Sequence, residues 1–235
     1  MKTTYSAPLE HTYLDSEIHD KHHNLILKNI LSLYELEPND RVLEIGSGTG
    51  RYTKFLIDCG FYVVAVEPDP VLAEKLIQRL KKSQNFELCI QSAESVKIDR
   101  KGIRLVCGFH VLHHLDKSIL KIFGAKLRAM ESKSKDFAGW FFLEPNPWCP
   151  FYPIQILLTP GMRFYEEKGI WINKYNEYLG KKKQKVIMGT IGLFPPRDFL
   201  KYVPFQLQQL STTLSSRSSI HRLYMIYGVR CKIKN

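Results

Sequence analysis

Three glycines at alternate positions follow a short apolar run in the first quarter of the chain. The segment 42–50 reads Val-Leu-Glu-Ile-Gly-Ser-Gly-Thr-Gly. Glycine lacks a Cβ, so a turn of this kind lets backbone amides and carbonyls approach a flat ligand closely. The dinucleotide pattern G-x-G-x-x-G would need glycine at position 51, which is Arg51, and no G-K-[ST] is present. The spacing therefore argues against NAD, FAD and a P-loop nucleotide site.

A carboxylate ends the next apolar run along the chain. Glu67 directly follows residues 61–66 and stands 21 positions after Gly46. At that place a carboxylate can accept hydrogen bonds from both ribose hydroxyls of a nucleoside lying across the strand ends. The glycine turn and Glu67 together therefore predict a nucleoside-binding site at one edge of a sheet.

Short apolar runs alternate with amphipathic helical patterns, and this order would bring the turn and the carboxylate together. The predicted strands are 41–45, 61–66, 86–90, 103–107 and 138–143, and the predicted helices are 18–34, 51–59, 70–82 and 116–130. Such βα units predict a doubly wound, mostly parallel Rossmann-like α/β sheet in three αβα layers. Two segments in which apolar and polar residues alternate, about 204–214 and 221–234, predict an antiparallel pair of strands at the sheet edge.

The composition fits one domain of 235 residues. We expect an amino-terminal helical cap at 1–37, a cofactor-binding core at 38–144, an insertion at 145–195 and a terminal strand pair at 196–235. Five cysteines without a C-x-x-C pair, no apolar leader and no run of membrane-spanning length favour a cytoplasmic protein with reduced thiols. The oligomeric state stays open.

The formal charge of +11 is unevenly distributed. Residues 1–40 carry a net charge of −4, residues 41–120 carry +3 and residues 121–235 carry +12. A field of this kind could attract nucleic acid or an anionic metabolite, or it could belong to a solvated surface. The charge pattern leaves these alternatives open.

The glycine turn and Glu67 are the features by which the sequence resembles the class I S-adenosylmethionine-dependent methyltransferases, over about residues 38–144. The resemblance implies S-adenosylmethionine as the methyl donor. It implies that Glu44 helps hold the methionine amino group, that Glu67 takes the ribose and that Pro68 lies beside the adenine. The turn that wraps the methionine and ribose would be formed by Gly46, Ser47, Gly48 and Gly50.

The same resemblance implies binding residues after the third and fourth strands. In the stretch Gln91-Ser92-Ala93-Glu94, Ser92 stands where the family often has an acid facing the adenine, which leaves Glu94 or a backbone group as candidates. Phe109 and His110, after the fourth strand, would line the reactive end of the methyl donor.

Methyl transfer to a hydroxyl acceptor also needs a base, and histidine titrates in the right range. The candidates by position are His110, His113 and His114, although one or two of them could instead orient the following helix. These three and the cluster His19, His22 and His23 share H-x-x-H-H spacing. Neither cluster has the acidic or cysteine partners of a metal site, so no metal is expected.

Three functions for this protein are compatible with the resemblance. The first is methylation of a small-molecule or lipid-linked acceptor, most readily on oxygen, with the aromatic insertion 145–195 as a lid over the acceptor. The second is a tRNA or rRNA methyltransferase, favoured by the basic carboxyl-terminal half. The Asn146-Pro147 pair follows the fifth strand rather than the fourth, so it is not the N-P-P-[YF] signature of base methylation. The third is a catalytically silent protein that binds the methyl donor.

Overall fold

The computed structural model describes residues 21–98, 102–145, 151–158, 179, 187–191 and 225–231. Seven strands in these ranges form one sheet of order β3-β2-β1-β4-β5-β7-β6. The strands are β1 (Arg41–Ile45), β2 (Tyr62–Val66), β3 (Phe86–Cys89), β4 (Ile103–Phe109), β5 (Gly139–Pro145), β6 (Ile187–Ile191) and β7 (Met225–Cys231). The helices are α1 (Lys21–Ser32), α2 (Arg51–Asp58), α3 (Pro70–Leu80), α4 (Lys117–Lys133) and α5 (Phe151–Leu158), with a 3₁₀ turn at Leu112–His114.

Strands β1 to β5 are all parallel, and β7 is antiparallel to both of its neighbours. This confirms the doubly wound α/β sheet expected from the sequence. The antiparallel strand lies one place inside the edge, because β6 pairs along its outer side. The strand paired with β7 is Ile187–Ile191, inside the range assigned to the insertion, whereas the expected partner 204–214 lies outside the described residues.

Alternating strand residues pack helices on both faces of the sheet. On one face, Leu43 and Phe142 join the buried side chains of α4, among them Phe123 and Leu127. Opposite residues, such as Val42, contact a second cluster whose helical members include Leu27 of α1, Leu56 of α2 and Ile156 of α5. The helix that five regular βα units would place between β3 and β4 is absent from the described part of that connection, which forms turns over 93–95.

Paired charges occupy the amino edge of the sheet, where the parallel strands begin. Arg41 forms an ion pair with Glu87 at 3.2 Å and lies over the ring of Tyr62, 4.8 Å from its centroid. Arg104 approaches Asp40 to 3.8 Å. All four charged side chains keep between 18% and 39% of their surface exposed, so water still solvates these ion pairs.

None of the helices that the structure describes has the length and apolar character needed to cross a lipid bilayer.

Candidate functional site

The glycine turn joins β1 to α2 at the carboxyl edge of the sheet. Gly46 and Gly48 have positive φ values of 69° and 55°, which residues with a Cβ rarely adopt. The amides of Gly46 and Ser47 donate to the carbonyl of Val66, at 2.8 and 3.0 Å, and tie the turn to the tip of β2. A Cβ on Gly46 would lie 2.4 Å from Cγ2 of Val111, whereas a Cβ on Gly48 would meet no described atom within 4 Å. Gly48 therefore borders open space beside the strand tips.

The hydroxyl of Ser47 holds the turn from within. Its Oγ accepts a hydrogen bond from the amide of Val66 at 3.1 Å and donates to the carbonyl of Glu44 at 3.3 Å. The amide of Gly50, the residue that precedes α2, donates to the carbonyl of Ser47 at 2.9 Å. Ser47 therefore shapes the turn through backbone contacts, in addition to its expected place in the binding loop.

Glu67 lies at the tip of β2 and reaches across to the glycine turn. One carboxylate oxygen accepts from the amide of Gly48 at 2.7 Å, and the other accepts from the amide of Asp69 at 3.0 Å. The side chain is buried, and this burial raises the pKa of Glu67 to about 7, although the two backbone hydrogen bonds act in the opposite direction. The turn and the carboxylate, 19 residues apart in the chain, therefore form one unit.

Glu44 is a second buried carboxylate at this edge. Its Oε2 accepts from the hydroxyl of Thr53, on α2, at 2.5 Å. Burial raises the pKa of Glu44 to about 8, because the carboxylate is removed from water, while the Thr53 hydroxyl lowers it. None of the described ion pairs involves Glu44 or Glu67. Two carboxylates that have no lysine or arginine partner among the described residues thus lie close to the glycine turn.

Residues 92–96 form a compact turn at the tip of β3. The carbonyl of Ser92 accepts from the amides of Ser95 and Val96, and the Ser92 and Ser95 hydroxyls lie 3.0 Å apart. Lys126 of α4 donates to the carbonyls of Glu94 and, at 2.9 Å, Val96. Ala93 is buried in the core beside these residues. Lys126 therefore anchors the loop that the resemblance places at the adenine.

Phe109 ends β4 and His110 follows it, next to the start of α2. The ring of Phe109 stacks on Tyr52, with centroids 4.0 Å apart and an angle of 2° between the ring planes. His110 is half-buried, its ring lies 6.3 Å from that of Tyr52, and its φ of 55° is unusual for a residue with a side chain. Its amide donates to the carbonyl of Leu143 at 2.7 Å.

His113 and His114 occupy the 3₁₀ turn after β4, and their environments differ from that of His110. The imidazole of His113 is only 1% exposed, and its Nδ1 lies 2.5 Å from a carboxylate oxygen of Glu144. The ring of His114 lies beside it, at a centroid distance of 3.8 Å. Buried and bound in this way, His113 is suited to orienting the turn.

The structure brings most of the expected site residues to one edge of the sheet. The carboxylate of Glu67 contacts the amide of Gly48, and Glu44 and Gly46 lie close by in the chain. Pro68 is exposed beside them. Sequence reasoning missed four contact residues, which act through partners distant in the chain: Tyr52, Thr53, Lys126 and Glu144. A hydroxyl three residues after the last glycine could have suggested Thr53, whereas no local signal marks Lys126.

Few residues of the expected lid are described. Tyr152 is buried against the sheet in the cluster that contains Ile156, so this ring packs the segment. The other aromatic residues between 145 and 195 have no described side chains, His19 lies outside the described ranges, and the side chains of His22 and His23 are not described. Within those ranges, no group of three His, Cys, Asp or Glu side chains could hold a metal ion.

The residues at the strand tips fit the methyl donor that the resemblance implies. S-adenosylmethionine carries positive charge on its sulfonium and amino groups, and the site presents two buried carboxylates outside the described ion pairs. Open space beside Gly48 adjoins the carboxylate of Glu67. The arrangement is therefore compatible with the positive charge of this donor.

Comparison with known proteins places these features in context. A family model described as a methyltransferase domain matches residues 17–197. A ribosomal RNA small subunit methyltransferase A of Thermotoga maritima is 46% identical over 148 residues, which cover 62% of this chain and 51% of the relative. The chain spans between 20% and 51% of the length of such curated relatives.

Solved structures share the fold at low sequence identity. A putative methyltransferase from an antibiotic biosynthesis pathway of Anabaena variabilis aligns with a TM-score of 0.56 and 16% identity, over 88% of this chain and 96% of that one. Phosphoethanolamine N-methyltransferase 2 of Haemonchus contortus, solved with S-adenosylmethionine, aligns with a TM-score of 0.60 and 10% identity, over 95% and 56%. At these identities the likeness concerns the fold alone.

Proposed function

Since the chain belongs to the methyltransferase domain family, we propose that it transfers the methyl group of S-adenosylmethionine to an oxygen of a small-molecule or lipid-linked acceptor. The single observation that supports this most strongly is the contact between the buried carboxylate of Glu67 and the amide of Gly48. It joins the two strand tips at which a nucleoside would be held.

The donor half of the proposal assigns roles to residues at the tips of β1, β2 and β3. Glu67 accepts from the ribose hydroxyls, and Glu44 lies where it can attract the methionine amino group. The open face at Gly48 receives the donor, and the turn that begins at Ser92 borders the adenine. When bound, S-adenosylmethionine supplies a methyl group already activated by its positive sulfur. The protein therefore has only to align the acceptor with that methyl group and to exclude water.

The acceptor half of the proposal rests on His110. It follows the tip of β4, next to the Tyr52–Phe109 stack, whereas the imidazole of His113 is already bound to the carboxylate of Glu144. His110 is therefore the histidine we assign as the general base that takes the acceptor's hydroxyl proton. Imidazole is suited to this step because its pKa in water is about 6.5.

Ribosomal RNA methylation is the second candidate, because several curated relatives carry that name and the carboxyl-terminal half is basic. The tip of β4 reads Phe109-His110-Val111-Leu112, where methylation of base amino groups would call for N-P-P-[YF]. This difference favours the small-molecule assignment. Salt titration of RNA binding separates the two, because phosphate contacts give a steep loss of affinity with salt.

Two measurements test the proposal. Calorimetry should detect binding of S-adenosylmethionine and of S-adenosylhomocysteine to the whole chain. Methyl-labelled donor added with a cell extract should then label an organic-soluble or low-molecular-weight fraction and leave the RNA fraction unlabelled. A base-labile product would identify a carboxyl oxygen as the acceptor, and a base-stable product would indicate a phenol or alcohol.

Other outcomes of the same experiments contradict the proposal. Label in ribosomal RNA would favour the second candidate, and donor binding without any labelled product would favour a catalytically silent protein. If neither S-adenosyl compound bound, the assignment of Glu67 and the glycine turn would be wrong.

A further inference from the structure

Glu144 near the end of β5 has a fully buried carboxylate that the donor-binding roles do not use. Its oxygens accept from the amides of Val111 at 3.0 Å, Leu112 at 2.8 Å and His113 at 3.4 Å. The Nδ1 of His113 lies 2.5 Å from one of the same oxygens. Because a carboxylate oxygen accepts, Nδ1 carries the hydrogen in this contact.

The turn that Glu144 binds has no cap of its own. Val111 occupies the N-cap position of the 3₁₀ turn and provides no side-chain hydrogen bond. A carboxylate located 33 residues further along the chain performs this task instead. An acid buried only to satisfy a short turn costs desolvation energy that a local serine or aspartate would avoid. This arrangement therefore suggests a purpose beyond local stability.

The residue that precedes this turn, His110, is the one whose position these contacts would fix. Leu143 and Glu144 are consecutive, and together they hold residues 110–113: the Leu143 carbonyl accepts from His110, and the Glu144 carboxylate accepts from the three amides that follow. His110 has a φ of 55°. A strained backbone of this kind costs on the order of 1–3 kcal/mol and persists only when surrounding contacts impose it.

We propose that Glu144 and His113 form a positioning pair that fixes His110 in its left-handed conformation at the reactive end of the methyl donor. This inference rests on the proposed function, because it is His110 that the proposed reaction uses. Glu144 acts on the backbone and His113 locks the carboxylate in place, so neither touches the acceptor. The pair sets the direction of the His110 ring.

Four variants test this inference in the full-length chain. Glu144→Gln keeps one acceptor oxygen but directs an amide NH₂ at backbone donors. His113→Phe removes the Nδ1 hydrogen bond, while His113→Asn retains an N–H donor near the same position. Glu87→Gln, at the amino edge of the sheet, is the control for the chemical change at a glutamate. Thermal unfolding first establishes a temperature at which every variant is folded.

Three readouts follow for the folded proteins. The NMR signal of His110, with ¹³C-labelled histidine and His110→Asn for assignment, reports the ring environment without any acceptor. Amide hydrogen exchange at 111–113 reports the cap. Calorimetry with S-adenosylhomocysteine and the rate of label transfer at saturating donor separate binding from the chemical step.

We expect Glu144→Gln and His113→Phe to displace the His110 signal and to speed exchange at 111–113 by about tenfold or more, as the loss of a buried hydrogen bond predicts. Transfer should slow by at least about tenfold while S-adenosylhomocysteine affinity changes less than about threefold. His113→Asn should restore the signal, and Glu87→Gln should leave it unchanged.

An unchanged His110 signal in folded Glu144→Gln would overturn the inference, as would a signal displaced equally by His113→Asn and His113→Phe. A parallel loss of donor affinity and transfer rate would also overturn it, because that would indicate general disruption. If wild-type protein transferred no label, the proposed function would fail, while the NMR and exchange results would still judge the positioning pair separately.

Discussion

The charged side chains at the two edges of the parallel sheet differ in their burial and in their partners. At the amino edge, Arg41 pairs with Glu87 and Arg104 pairs with Asp40, and all four side chains remain partly exposed. At the carboxyl edge the carboxylates of Glu44, Glu67 and Glu144 are buried. Their described partners are backbone amides, a threonine hydroxyl and an imidazole, with no lysine or arginine among them.

This difference predicts that the amino edge contributes mainly to stability and the carboxyl edge mainly to binding. Exposed ion pairs at the amino edge balance their own charge and need no ligand. The buried carboxylates of Glu44 and Glu67 cost desolvation energy, which under the proposed function a cationic ligand would offset by supplying positive charge. Substitutions at the two edges should therefore have different effects, and those effects can be ranked.

The largest effect is expected from Gly46→Ala. The new methyl group would overlap Val111, and φ would stay positive, so unfolding free energy should fall by roughly 2–4 kcal/mol. Gly48→Ala provides the matched control: it shares the positive φ but has open space beside it, so the loss should be about 1–2 kcal/mol. Chemical denaturation measures both. Equal losses would show that Val111 does not constrain the turn.

Glu67→Ala should weaken binding of S-adenosylmethionine by about 1–3 kcal/mol, the usual value of a charge-assisted hydrogen bond. Calorimetry at pH 8 measures the change, and Glu87→Gln is expected to bind as wild type does. Unchanged affinity in Glu67→Ala would remove the ribose assignment and with it the contrast between the edges.

The pH dependence of binding should be opposite to that of stability. In the free protein, burial raises the pKa of Glu44 to about 8 and that of Glu67 to about 7, from 4.5. A cation favours the ionised carboxylates, so binding releases protons, and affinity should rise by at least about tenfold from pH 6 to pH 8. Calorimetry in buffers of different ionisation enthalpy counts those protons. Flat affinity would mean that both groups are already ionised.

The same two groups bind protons more tightly in the folded than in the unfolded chain. Their contribution to stability is therefore complete below about pH 4.5 and is lost as pH rises toward 8. S-adenosylhomocysteine should stabilise the protein most at the upper end of this range, in thermal unfolding scans at fixed ligand concentration.

The smallest effect is expected from Arg41→Ala. Loss of a partly exposed ion pair and of the contact with Tyr62 should lower the unfolding free energy by about 1 kcal/mol or less, because water screens the charges. Affinity for S-adenosylmethionine should be unchanged. A marked loss of affinity would show that the two edges are coupled through the sheet.

The sequence predicted the parts of the fold that local patterns encode. The strand 41–45 and the helix start at Pro70 agree with the structure, because short apolar runs and a capping Asp69 are visible within a few residues. The turn at Gly46 and the acid at Glu67 came together as expected, since parallel strand tips share an edge.

Contacts between distant segments were beyond the reach of those patterns. The pairing of β7 with 187–191 joins segments more than thirty residues apart, and the sequence pattern had favoured 204–214 as the partner strand instead. Likewise, the three neighbouring histidines looked equivalent as sequence. The contact with Glu144 makes His113 different from His110, and this contact forms only when β5 packs beside β4.

The position of β7 between β5 and β6 also affects how the chain must be made. Ribosomes extend a chain by about 5–20 residues per second, so the outer edge of β5, complete at Pro145, waits roughly 4 to 16 seconds for Met225 to emerge. During this interval the nascent chain presents an unpaired hydrophobic strand, and β6 has nothing to pair with. Chaperone protection during synthesis would be needed most in the time between these two strands.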